Sequence, residues 1–475
     1  MSGGFRSRSA GRRQPKGGRV EGKRAAPVGA SIGDPARETA WEVVRRVAVD
    51  GAYANLTLPA LLRERKVGGR DAAFATELTY GTLRALGVVD AVIGECSSRP
   101  IGEISPEVLA ALRLGAYQLL YMRVEQHAAV DTSVRLVEAS GQVKAKGFTN
   151  GVLRTIARTP AEEWMTTLTP EGELAALAFR TAHPEWIARS FAEVLPDDEL
   201  PAALEADSAR PIVHLVARPG EMSAEELALV TGGEEGTYSP YAVYLPEGDP
   251  GKLEPVRARL AAVQDEGSQL IARAVATVPV EGDAGRWLDL CAGPGGKAAL
   301  IGALAQIEGA RVDAVEVSEH RAKLIRSAVD DLPVRVHVAD GRDPGLEEAP
   351  EQGYDRVLVD APCSGLGALR RRPEARWTKT EADIADLTAL QFELLTSAIG
   401  LARPGGVVVY STCSPDARET RAVVDRALAA GGVEELDARV FVPGMGNVGP
   451  GPSVQMWPHR HGTDAMFFSV LRKIG

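Results

Sequence analysis

Two cysteines stand directly after apolar runs that read as strands. Cys363 lies in Asp360-Ala-Pro-Cys-Ser-Gly-Leu-Gly-Ala-Leu-Arg370, after Tyr354–Val359, and Cys413 lies in Tyr410-Ser-Thr-Cys-Ser-Pro415, after Val407–Tyr410. A buried cysteine is ordinarily a small hydrophobe. A thiol at the end of a strand instead faces the ligand edge of a sheet, near helix N-termini that lower its pKa, so each is a candidate nucleophile. Asp360 adds a carboxylate at the end of the strand before Cys363.

A glycine-rich turn, Asp289-Leu-Cys-Ala-Gly-Pro-Gly-Gly-Lys297, follows the apolar run Arg286–Leu290. Such a turn lets a ligand approach the backbone and offers it unpaired helix N–H groups. A phosphate-binding P-loop would need glycine at Cys291 and a hydroxyl at Ala298, and the spacing of Gly293, Gly295 and Gly296 is not the dinucleotide G-x-G-x-x-G. A nucleoside cofactor without phosphates to cradle, S-adenosylmethionine, is the reading that remains. Glu316, Asp340 and Asp360 end the second, third and fourth strand-like runs. Those are the positions where a doubly wound sheet binds ligands, and Glu316 is spaced to reach ribose hydroxyls.

A thiol, an acid and a methyl donor together suit carbon 5 of a pyrimidine. That carbon is too weak a nucleophile to be methylated directly. Thiolate addition at carbon 6 makes it enamine-like, and an acid at N3 or the exocyclic amine stabilises the adduct. A base must later remove the carbon-5 proton so that the thiol can leave. The second cysteine either assists that release or is itself the nucleophile.

The elements that must position these groups divide the chain of 475 residues into about three domains. A hydrophobic share of 45% excludes wholesale disorder. No run of about 18 apolar residues appears, and no apolar segment follows the basic N-terminus, so neither a membrane span nor a secretory signal is expected. Cys96, Cys291, Cys363 and Cys413 form no C-x-x-C pair, which argues against disulfides and metal ligation and fits a reducing cytoplasm. The net charge of −10 conceals a basic arm: residues 1–30 carry eight basic residues against Glu21 alone, leaving −17 for the rest. Such an arm suits contact with a polyanion.

Residues 1–33 read as a disordered basic arm, rich in Gly, Ser, Arg and Lys. Residues 34–160 read as an all-helical domain. Asp34-Pro35 forms an N-cap signature before Trp41, Val44 and Ala48, and further helices are expected over 71–86, 105–121, 129–140 and 143–158. Residues 161–281 read as a small α+β connector, with helices over 171–194 and 223–230 and strands Ile212–Ala217 and Tyr241–Leu245. From 282 to 475, strand-like runs alternate with helical stretches, predicting an α/β doubly wound sheet. The further runs are Val312–Val317 and Val334–Ala339, and Ala465–Leu471 is expected to return antiparallel at the sheet edge.

With these residues in view, the chain resembles the Sun/Fmu-type RNA cytosine-5 methyltransferases, over about 440 residues. The matching signatures are Gln264-Asp-Glu-Gly-Ser-Gln269, Asp289 to Lys297, Asp360 to Arg370 with Pro373, and Ser411-Thr-Cys-Ser414. The resemblance implies that Cys413 is the nucleophile, that Cys363 assists breakdown of the adduct and that Asp360 contacts the cytosine edge. It also implies that Cys291, Ala292, Gly293, Pro294, Gly295, Gly296, Lys297, Glu316, Asp340 and Asp360 hold S-adenosylmethionine. DNA cytosine methyltransferases use a Pro-Cys cysteine, so Cys363 is the rival nucleophile; the Thr-Cys motif favours Cys413. A DNA enzyme would need a target-recognition domain, and no segment after Cys413 is large enough.

The helical region resembles the NusB-like RNA-binding fold through residues 71–84, 112–121 and 146–154. In its last helix Phe148, Val152 and Ile156 share one face, leaving Lys144, Lys146, Arg154 and Arg158 for solvent or phosphate. Three departures from the family pattern stand out. Glu316 replaces the commoner aspartate, Asp464-Ala-Met-Phe-Phe468 replaces Asp-Gly-Phe-Phe and so puts a local turn in doubt, and Pro219 stands where asparagine is common. The expected protein is a monomeric cytoplasmic enzyme acting on 16S ribosomal RNA, free or within a partly assembled subunit. The alternatives are the same chemistry on transfer RNA, and a non-catalytic RNA-binding assembly factor.

Overall fold

A computed structural model describes residues 31–475, so all but the last three positions of the expected basic arm lie outside the described residues. Seven α-helices open the described residues: α1 (Pro35–Asp50), α2 (Ala54–Glu64), α3 (Gly69–Arg84), α4 (Leu86–Cys96), α5 (Pro106–Tyr121), α6 (Gln126–Ala139) and α7 (Lys146–Arg158). The start of α1 is set by Asp34, which accepts a hydrogen bond from the Arg37 N–H at 3.0 Å, and by Pro35 in the first turn; Gly51, at φ 62°, ends it. Trp41 and Val44 are buried as expected, whereas Val47 rather than Ala48 completes the stripe. The central helix α5 packs against α1, α3, α4, α6 and α7. Helices α2 and α4 were not legible, since only Ala85 separates α3 from α4 and the apolar spacing runs through the break.

The helix Ala161–Leu168 sends Trp164 into the same helical core. The single helix expected over 171–194 is two, Glu173–Arg180 and Glu185–Ala192, interrupted where Ala182 adopts φ 57° and Pro184 precedes the second. Strands Glu234–Glu235, Ala242–Leu245, Val213–Ala217 and Ala261–Val263 form, in that order, a small antiparallel sheet. The helix Glu266–Thr277 buries Leu270, Ile271 and Val275 against the large sheet.

That sheet is built from β1 (Arg286–Asp289), β2 (Arg311–Glu316), β3 (Val334–Val338), β4 (Tyr354–Asp360), β5 (Ala402–Thr412), β6 (Val433–Leu436) and β7 (Phe467–Lys473), in the order 3-2-1-4-5-7-6. Strands β1 to β5 pair in parallel, and β7 is antiparallel to both β5 and β6. The C-terminal strand is antiparallel as expected but does not lie at the edge. The short β6, whose charged Glu434 and Glu435 hide its strand character, covers residues 470–473, and a two-residue strand, Val454–Gln455, pairs with Phe467 and Phe468. Helices Glu266–Thr277 and Gly296–Glu308 cover one face, and Glu381–Leu401 and Arg421–Ala430 the other. Among the described residues Glu381–Leu401 alone is long and apolar enough to cross a membrane; its Leu394, Leu395 and Ala398 pack on β4 and β5.

Candidate active site

The order 4-1-2 and the neighbouring 4-5 pair bring the ends of β1, β2, β4 and β5 to one edge of the sheet. Register places Asp360 beside Ser411. The Ser411 hydroxyl donates to Asp360 Oδ1 at 2.9 Å, and Lys297 Nζ donates to Oδ2 at 2.9 Å. Three residues past Asp360 and two past Ser411, the sulfurs of Cys363 and Cys413 meet at 3.4 Å. The loops stay together because the Gly367 N–H donates to Cys413 O and the Ala465 N–H to Gly367 O, each at 2.9 Å. A Cβ at residue 367 would collide with Ala465 O, so glycine is required there.

The two thiols are electrostatically unequal. The hydrogen bond between the sulfurs, with Cys363 as donor, lowers the pKa of Cys413; burial and the charge of Asp360 oppose this, and the charges of Lys297 and Arg372 assist it. The same hydrogen bond, with burial and nearby Glu419, pushes Cys363 well above the ordinary thiol value. Cys413 is therefore the better thiolate of the pair. Lys297 is buried, which disfavours its ammonium, yet Asp360 holds its pKa above the usual lysine value.

Glu419 is absent from the sequence expectations and is central here. Its buried carboxylate accepts from the Ser364 N–H at 2.8 Å, from the Ser364 hydroxyl and from Gln391 Nε2 at 3.0 Å. Nε2 of Gln391 also donates to Pro362 O at 2.9 Å. No motif spacing flags Glu419 or Gln391, because they meet the Pro-Cys loop only through the tertiary fold.

The glycine turn lies between β1 and the helix Gly296–Glu308, with Gly295 at φ 116° as its N-cap. A Cβ on Gly293 would collide with Glu316 Oε2, so the turn backbone and this buried carboxylate form a cradle that a side chain would fill. Glu316 is oriented by the Ser318 N–H and by Arg321, each at 2.7 Å. Asp289 is also buried here: Oδ1 accepts weakly from the Cys291 N–H at 3.4 Å, and Oδ2 has no partner among the described residues. Burial and the charge of Asp360 raise Asp289 to about 7. Burial and Asp289 likewise push Cys291 well up, which disfavours its thiolate. Asp340 stands apart: Arg342 engages both its oxygens, and among the described residues it makes no hydrogen bond to the turn or to Glu316.

The Pro-Cys loop continues into a junction. Asp265 and Asp464 are buried between Arg370 and Arg371; Arg370 Nε donates to Asp464 at 2.8 Å and Arg371 Nη2 to Asp265 at 2.9 Å. Burial works against Asp265, but His214 and the two arginines hold its carboxyl far below the usual range, whereas burial raises Asp464. The doubtful Asp464-Ala465 turn thus keeps its contacts. Glu266 accepts from the Tyr238 and Ser239 N–H groups and from Tyr244 OH, tying the 264–269 motif to the small sheet. Arg376 is fully buried and donates to Ala182 O and Asp207 O, while Trp377 Nε1 donates to Leu83 O at 2.8 Å. On the helical domain Lys146 pairs with Glu138, and Lys144, Arg154 and Arg158 are exposed without partners among the described residues.

Two family models match this chain: 16S rRNA methyltransferase RsmB/F over residues 274–472 and the NusB family over residues 34–158. It is 54% identical to a putative methyltransferase of Mycobacterium tuberculosis (strain H37Rv), over 96% of this chain and 99% of that one. It is 31% identical to the probable ribosomal RNA small subunit methyltransferase B of Bacillus subtilis (strain 168), over 92% and 99%. In fold it is similar to the crystal structure of PH0851, with a TM-score of 0.80, 22% identity and coverage of 94% and 100%. On this similarity, and on the two domains matched in order, the chain belongs to the 16S rRNA methyltransferase RsmB/F family.

Proposed function

We propose that this protein methylates carbon 5 of one cytosine in 16S ribosomal RNA through a covalent adduct on Cys413. The observation that carries this reading is the pair of sulfurs 3.4 Å apart beside a carboxylate fixed by both Lys297 and Ser411. The RsmB/F family and the NusB-family domain support RNA as the substrate.

The turn from Cys291 to Lys297, with Glu316, fits S-adenosylmethionine: a side-chain-free cradle faces a carboxylate suited to ribose hydroxyls. When bound, that cofactor supplies an electrophilic methyl group. Asp340, oriented by Arg342 and about half exposed, retains lone pairs with which to accept from the cofactor.

Cys413, the more acidic thiol, adds as thiolate to carbon 6 and makes carbon 5 nucleophilic. Asp360, its oxygens already oriented, accepts from the 4-amino group and fixes the ring. After carbon 5 is methylated, a base takes its proton, the C–H electron pair re-forms the 5,6 double bond, and the bond from carbon 6 to sulfur breaks to return Cys413 as thiolate. Cys363, in direct contact with that sulfur, assists this elimination. The target base has to leave its stack to reach the sheet edge.

Bisulfite sequencing of ribosomal RNA from cells with and without the gene tests the reading. One 16S cytosine should lose protection in the deletion strain. Unchanged protection across 16S RNA would overturn the proposal.

A further inference from the structure

Four arginines follow the Pro-Cys loop within seven residues, and three have internal partners. Arg370 and Arg371 share Asp265 and Asp464, and Arg376 is spent on Ala182 O, Asp207 O and Ser208. Among the described residues the guanidinium of Arg372 makes no hydrogen bond and no close ion pair, although its charge reaches the buried Glu374. It lies over the ring of Tyr53 instead, 4.8 Å from the centroid. Tyr53 belongs to the helical domain, immediately before α2, and is 51% exposed. The contact is built into the junction: Glu374 Oε1 accepts from the Ala54 N–H at 3.1 Å, and Trp377 packs on Gly87 while its Nε1 donates to Leu83 O. Arg372 is thus held over Tyr53, nine residues beyond Cys363 on the same loop, and its charge is among those that lower the Cys413 pKa.

An unpaired arginine is out of keeping with a body that carries −17 outside the basic arm. An aromatic ring under a guanidinium restrains it without satisfying its N–H donors. Those donors suit a phosphodiester, which accepts charge-assisted hydrogen bonds. When a base is swung out of its stack into the pocket, its own phosphates remain at the mouth.

We propose that Arg372, positioned by Tyr53 of the helical domain, binds an RNA phosphate adjoining the target nucleotide, so that the helical domain completes the rim of the catalytic pocket. This rests on the reading of the chain as an RNA-modifying enzyme, and it adds a binding residue and a positioning residue that the motifs do not mark. Arg372 is the substrate contact; Tyr53 acts through it.

The test uses the full chain with an in vitro transcribed bacterial 16S rRNA as probe. RNA affinity is measured across potassium chloride concentrations, and affinity for S-adenosylhomocysteine is measured in parallel. Arg372→Ala should weaken RNA binding roughly tenfold. It should also lower the slope of log affinity against log salt by roughly 0.7–0.9, the signature of one lost phosphate contact. Binding of S-adenosylhomocysteine should stay unchanged. Arg372→Lys should restore the slope, Tyr53→Ala should weaken RNA binding by a smaller factor, and Tyr53→Phe should bind as wild type. Unchanged RNA affinity and slope in Arg372→Ala would overturn the proposal. If that variant does not fold, unchanged RNA affinity in folded Tyr53→Ala overturns it instead. RNA bound with the predicted slope change but without methylcytosine formed would refute the cytosine-5 reading and leave the phosphate contact standing.

Discussion

The carboxylate of Glu419 accepts hydrogen bonds from both the backbone N–H and the hydroxyl of Ser364. Ser364 follows Cys363 directly, and Glu419 lies six residues beyond Cys413, so this buried contact joins the two cysteine loops. It acts alongside the pairing of β4 with β5, from whose ends the sulfurs approach to 3.4 Å.

Glu419→Ala would leave the Ser364 N–H, the Ser364 hydroxyl and Gln391 Nε2 without their shared acceptor. The Ser364 hydroxyl can turn to Ser414 Oγ, 3.2 Å away, but the other two donors are stranded at about 1–3 kcal/mol each, so a loss of about 2 kcal/mol or more is expected in urea unfolding. Glu419→Gln retains an acceptor oxygen and should lose less. Equal stabilities for the Ala variant and wild type would show that the loops are held by other contacts.

For the two thiols, opposite phenotypes are expected. Cys413→Ala should lower methyl incorporation by roughly 10⁴-fold or more, with an unchanged unfolding midpoint. Cys363→Ala should retain adduct formation and accumulate a covalent enzyme–RNA species on a denaturing gel. If the adduct forms in Cys413→Ala instead, the nucleophile is Cys363.

The cradle between the turn and Glu316 makes a selective prediction. Gly293→Ala displaces the Glu316 carboxylate, so binding of S-adenosylhomocysteine in a calorimeter should weaken about tenfold or more. Gly293 does not have a left-handed backbone, so the stability loss should be small by comparison. Full binding by the alanine variant would place the cofactor elsewhere.

Asp289 titrates near neutrality. Its folded pKa of about 7 lies above the usual 3.8, so the folded protein holds a proton that the unfolded chain has lost. Stability must therefore fall as pH rises from about 4 to about 7 and level off above, a contribution of up to about 4 kcal/mol. Asp289→Asn should remove that component, so the unfolding free energy of the variant relative to wild type should rise from pH 5 to pH 7.5. A gap that does not change with pH would contradict the assignment.

Much of the sheet was legible because parallel strands buried on both faces read as short apolar runs ending in Asp, Glu or Cys. Tyr354–Asp360 and Val407–Tyr410 are such cases, and the N-cap at Asp34 is another. Where local signals weaken, the expectations failed. β6 is half charged, α3 and α4 meet without a break in spacing, and a short turn at Ala182 splits one expected helix into two.

The order of residues by itself determined the family, the sheet class and the positions of the two cysteines, the glycine turn and Glu316. These depend on local pattern, on residue type at a strand end and on motif spacing. The tertiary structure alone decided which groups act on one another. It brought Cys363 and Cys413 to 3.4 Å across 50 residues, buried Asp289 beside Asp360, assigned Asp340 to Arg342, and set Arg372 over Tyr53 across more than 300 residues. Burial, charge and hydrogen-bond partners act through space, and a sequence pattern records only neighbours along the chain.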